Sequence, residues 1–119
     1  MKLTEYGKLV RKARIDAGIT MLTMAEALSV APSFLSATEV GNKKIPESFV
    51  AKVVAYFRSL GVEVSNLPEA ADVSNEQVSI EGLTPAQQFL VAGFARTELT
   101  AKQIDELSDM LSKIQKGGL

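Results

Sequence analysis

Cysteine and histidine are both absent from the 119 residues of this chain. Their absence excludes disulfides, the usual zinc-ligand sets, cysteine–histidine chemistry and serine–histidine triads together. Neither a glycine-rich phosphate loop nor a clustered pair of carboxylates is present, so no enzyme, metal or other cofactor is expected. Long apolar runs are missing too. The longest, Phe89 to Ala95, is seven residues, about a third of what a membrane-spanning helix needs. Residues 1–20 carry Lys2, Glu5, Lys8, Arg11, Lys12, Arg14 and Asp16 and lack the apolar segment of a secretory signal. The expectation is a soluble, cytoplasmic protein with no membrane partner.

What is present suffices for a packed core, since 46% of the residues are hydrophobic. The net charge of −1 conceals an asymmetry. Residues 1–60 hold nine basic and five acidic groups, whereas residues 61–119 hold four basic and nine acidic ones. A basic half joined to an acidic half points to one end that meets an anionic polymer and another with a separate task.

The first half reads as a string of short helices. Thr4 is placed to cap a helix running to about Ala17, with Tyr6, Leu9, Val10, Ala13 and Ala17 on one side. Gly18 suits its left-handed end. Thr20 is a second cap, ahead of a helix Met21–Leu28 with Met24, Ala25 and Leu28 on one face. Ser29, Val30 and Ala31 allow only a tight turn, and Pro32 opens a segment to Val40 that buries Leu35 and Thr38. Pro46 opens a fourth helix, striped by Phe49, Val50, Val53, Val54, Phe57 and Leu60, and Gly61 stops it. Two short helices joined by a three- or four-residue turn describe a helix-turn-helix.

The run Arg14-Ile15-Asp16-Ala17-Gly18-Ile19-Thr20, then Met24-Ala25-Glu26-Ala27-Leu28-Ser29-Val30, then Leu35 to Lys43 with its Glu39-Val40-Gly41-Asn42-Lys43 ending, resembles the XRE family. This is the lambda-repressor-like helix-turn-helix of phage repressors, antitoxins and small regulators. The resemblance covers about residues 6–62. It implies a sequence-specific regulator on double-stranded DNA, with the second helix of the motif in the major groove. Pro32, Ser33, Phe34, Ser36 and Ala37 would then face base edges. The family often places Gln, Asn, Arg or Lys there. This chain offers two hydroxyls, a methyl, a proline and a phenyl ring, of which Ala37 and Phe34 suit thymine methyls. Phe34 has a second role open to it, packing beneath the helix. The resemblance also implies phosphate contacts at Thr20 and Met21, where backbone N–H groups open a helix, and at Asn42, Lys43 and Lys44. Met21 stands where the family commonly has Gln. Lys8, Arg11 and Lys12 share the wet face of the first helix. Arg14 and Glu39 are expected to form a structural ion pair.

In the second half, residues 65–83 read as a connector with one short helical turn around Pro68–Asp72, between a DNA-binding domain at 1–64 and a helical hairpin at 84–119. Thr84 with Gln87 and Thr100 with Gln103 match capping-box spacing. The helices they open run from Pro85 to about Thr97 and from Ala101 to about Gln115, with Gly117 and Gly118 beyond. Phe89, Leu90, Ala92, Gly93 and Phe94 lie on the first, and Ile104, Leu107, Leu111 and Ile114 recur at 3-4-3 spacing on the second. The fold class is therefore all-α, a lambda-repressor-like domain followed by a C-terminal helical hairpin. Phe89, Phe94, Ile104, Leu107, Leu111 and Ile114 are the candidate dimerisation residues, because so short a hairpin cannot bury that face alone. A homodimeric repressor or autoregulator on a palindromic operator is the leading expectation. The alternative is an antitoxin whose acidic C-terminal half binds a partner protein.

Overall fold

The computed structural model describes residues 2–117; Gly118, expected to help end the last helix, lies outside them. Among the described residues the chain is all-helical, in the order α1 Glu5–Ala17, α2 Met21–Leu28, α3 Pro32–Glu39, α4 Glu47–Ser59, α5 Leu67–Asn75, α6 Pro85–Arg96 and α7 Ala101–Gln115. They divide into two compact units, 1–78 and 79–119. No described helix is long and apolar enough to cross a membrane.

Threonine caps set four of the seven starts. The hydroxyl oxygens of Thr4, Thr20, Thr84 and Thr100 each accept from the backbone N–H three residues on, in Gly7, Thr23, Gln87 and Gln103. The reciprocal half of the capping box, a Gln side chain returned to the cap's own N–H, forms at Thr100 with Gln103. Gly18 ends α1 in the left-handed conformation, as expected. Ser29 ends α2 in the same conformation, at φ 56°.

In the first unit, α1 packs on α3 and α5, α2 on α3 and α4, and α4 on α5. Tyr6, Val10, Met24, Leu35, Val53, Phe57 and Leu67 are its fully buried centre. The stripes expected on α1 and α4 face this core, except that Leu60 caps α4 and is exposed.

One expectation needs correction. Residues 65–83 are not mainly a connector. Leu67–Asn75 is a full helix of the first unit, and Leu67, Ala70 and Ala71 are buried. The unit therefore runs to residue 78 rather than 64.

The C-terminal unit holds the two helices expected there, α6 and α7. No residue of either helix is buried, and Phe89 is 81% exposed.

Close approach of α1 to the end of α3 is possible because residue 7 has no side chain. A Cβ on Gly7 would overlap the Glu39 carbonyl oxygen. Replacing an in-helix glycine by alanine ordinarily gains about 1 kcal/mol. Here the clash is with backbone, and overpacking costs about 1–3 kcal/mol. Gly7→Ala is expected to lower the stability of the first unit in chemical denaturation; a more stable variant would show that α1 and α3 sit farther apart.

Candidate nucleic-acid interface

The candidate surface is built around α3, an eight-residue helix following α2 after the turn Ser29–Ala31. Pro32 occupies the first turn, and the cap residue Ala31 supplies no side-chain hydrogen bond. Pro32, Ser33 and Ser36 are exposed and Ala37 is half-buried. Leu35, Thr38 and Glu39 point the other way and are buried. For Ser33 and Ser36, three residues apart on one side, and Leu35, Thr38 and Glu39 on another, this division follows from helical spacing, whereas Pro32 is exposed at the start of the helix.

Phe34 departs from the base-facing set. Its ring stands edge-on to Phe49, with centroids 5.2 Å apart and planes at 88°, and it packs at the margin of the core. Of its two expected roles, packing is the one realised, because an aromatic ring gains more from an edge-to-face partner than from water.

Arg14 and Glu39 meet as expected. The guanidinium donates to both carboxylate oxygens, at 2.7 and 2.8 Å, with side chains 9% and 3% exposed. One guanidinium nitrogen also lies 3.5 Å from Met24 Sδ. The Glu39 carbonyl is held as well: the Thr4 N–H and hydroxyl both donate to it, at 3.0 and 3.1 Å. Burial raises the Tyr6 phenol far above its ordinary range, the Glu39 charge raises it further and Arg14 partly offsets both, so Tyr6 stays neutral beside the pair.

The flanks differ from expectation in detail. Thr20 is committed as the α2 cap, with its Oγ1 3.1 Å from the Thr23 N–H. Met21 turns its side chain against the core, which leaves only backbone at that position. Beyond α3, the Asn42 and Lys43 N–H groups both donate to the Ala37 carbonyl, at 2.9 and 3.3 Å, closing a tight turn. Lys43 is exposed there. Lys44 is not simply presented to solvent, because its ammonium donates to the Asn75 carbonyl at 2.7 Å, at the C-terminal end of α5. In α1, Lys8 pairs with Glu5 and Lys12 with Asp16, both in exposed contacts. Such pairs hold little energy.

Sequence reasoning missed Asn75. Its side-chain amide grips Ile45 twice, accepting from the Ile45 N–H at 2.8 Å and donating to the Ile45 carbonyl at 2.9 Å. With Lys44, this ties the basic turn to the end of α5.

The charge asymmetry also changes at the structural boundary. Residues 1–78 carry nine basic and nine acidic groups, and residues 79–119 four and five. The acidic groups Glu63, Glu69, Asp72 and Glu76 belong to the first unit. Asp72 lies partly buried beside Glu47 and Glu69, and its carboxyl is raised, first by burial and then by those two charges. Positive potential on the first unit is thus local to turns and helix faces.

A scan of protein-family models, a search of curated proteins and a search of solved structures each found no match to this chain.

Two outcomes test the geometry. Arg14→Ala and Glu39→Ala are each expected to cost about 3–5 kcal/mol, because the surviving charge is stranded in the interior. The double variant should lose less than the two added together. Additive losses below about 1 kcal/mol in urea titrations would mean an exposed pair. Asn75→Ala should cost about 1–3 kcal/mol by leaving the Ile45 N–H and carbonyl without partners. Hydrogen exchange should show protection lost at the Ile45 amide first; unchanged protection there would contradict the clamp.

Proposed function

We propose that the first unit binds double-stranded DNA sequence-specifically, with α3 as the recognition helix, and that the chain acts as a homodimeric repressor or autoregulator on a palindromic operator. One observation carries this reading. Two eight-residue helices are joined by a three-residue turn, and the second keeps its N-terminal face exposed while its opposite face anchors in the core.

Ser33 and Ser36 are the polar readers of this surface, and Ala37 supplies a methyl for thymine contact. A hydroxyl both donates and accepts, so serine suits several bases and discriminates through position rather than through a bidentate grip. Asn42 and Lys43 flank the helix for phosphate contact, and the α2 N-terminus offers backbone N–H groups on the other side. Lys44 serves the turn first, through Asn75. The zero net charge of residues 1–78 makes the electrostatic contribution modest, with few phosphates neutralised and a shallow salt dependence.

A second reading, an antitoxin that binds a partner protein, draws on the exposed apolar side chains of α6 and α7. Co-purification of a stoichiometric partner with the full chain favours it; recovery of the chain alone favours the regulator.

On its preferred site, Ser33→Ala should cost about 1–3 kcal/mol and on random duplex almost nothing. Lys43→Ala should weaken both alike and reduce the slope of log K against log salt by about one. Equal losses on both duplexes for Ser33→Ala would remove α3 from the base-reading role.

A further inference from the structure

Ile104, Leu107, Leu111 and Ile114 form one stripe along α7, all exposed. A fifteen-residue helix is at the margin of stability in water unless a face is buried. The stripe is a palindrome in spacing and in composition. Reversing the helix about residue 109 exchanges Ile104 with Ile114 and Leu107 with Leu111. From these features we infer that α7 pairs with α7 of a second copy in antiparallel orientation, about a two-fold axis at Asp109, with Leu107 packed on Leu111 and Ile104 on Ile114 at the two ends.

The charges favour that occupant and that orientation. Positions flanking an apolar seam decide partner choice, and equal charges facing each other across it repel. Here the flanks are Gln103, Ser108, Met110 and Gln115, none of them charged. A seam with neutral flanks accepts its own copy. On the outer face, Lys102 is followed by Asp105, Glu106 and Asp109, and then by Lys113 and Lys116. Antiparallel pairing sets Asp105 of one copy level with Lys113 of the other, and each helix N-terminus near a C-terminus. Parallel pairing would set acid beside acid. The exposed Phe89, Leu90 and Phe94 of α6 extend the apolar surface of the same unit.

This inference deepens the self-association in the function proposed above, and its test reads mass and cross-linking without DNA, so the two stand or fall separately. Light scattering of the full chain should give a dimer, and Leu107→Glu with Leu111→Glu should give a monomer whose first unit still melts cooperatively. The chain has no cysteine, so introduced thiols report orientation directly. In the antiparallel pair the two copies of residue 104 lie about 15 Å apart, ten residues along the helix, beyond the roughly 7 Å that a disulfide spans. Mixing Ile104→Cys with Ile114→Cys chains should therefore yield an oxidised covalent dimer containing one of each. Either variant alone should stay uncross-linked. A monomeric wild type, or a dimer that survives the two Glu substitutions, overturns the interface. Cross-linking of Ile104→Cys with itself overturns the orientation.

Discussion

The buried Arg14–Glu39 pair determines where α3 can lie. Arg14 sits in the last turn of α1 and Glu39 ends α3, so the bidentate contact joins the two helices at one end. Thr4 holds the Glu39 carbonyl and Gly7 gives it room. A buried ion pair contributes little net stability, but it tolerates no alternative packing that strands either charge. It therefore specifies the seat of α3 more than it strengthens the fold. The far end of α3 has no side-chain cap and exposes Pro32, Ser33 and Ser36. A helix fixed at its C-terminal end and open at its N-terminal end can meet a ligand without losing its seat, which is the requirement the proposed DNA contact imposes.

α5 extends that logic to the turn beyond α3. Ile45 enters the core while Asn75 satisfies its backbone, and Lys44 closes onto the end of α5. The basic turn is thereby fixed by a helix thirty residues away in sequence. The same helix and its neighbours bring acidic groups that cancel the unit's basic excess. Binding energy in the proposed function must then come from shape and direct contact more than from a broad positive field.

Features set by local chemistry were legible in the sequence. Each threonine cap needs only a hydroxyl and an N–H three residues away, and Gly18 needs only its own backbone freedom. The core faces of α1 and α4 followed from strong apolar periodicity. The ion pair was accessible through resemblance to a family pattern, because nothing local joins residues 14 and 39. α5 was legible only as one short turn around Pro68–Asp72, for physical reasons. Its buried stripe is one leucine and two alanines, it lacks a side-chain cap, and Leu67 precedes a proline, which disfavours helical backbone. Only burial against α1 and α4 makes it a helix. Phe34 was ambiguous for a similar reason, since its place depends on where Phe49 arrives.

The C-terminal unit shows the opposite balance: its helices are well marked locally, yet no residue of either is fully buried. The proposed α7 pairing and the proposed recognition helix would together call for a two-fold symmetric target. The most direct test is selection of the full chain on a pool of random duplex DNA, followed by sequencing of the bound fraction. The account predicts enrichment of an inverted repeat whose half-sites are centred about one helical turn apart or a multiple of it. A bound fraction that stays as random as the starting pool would contradict the assignment of α3 to sequence reading.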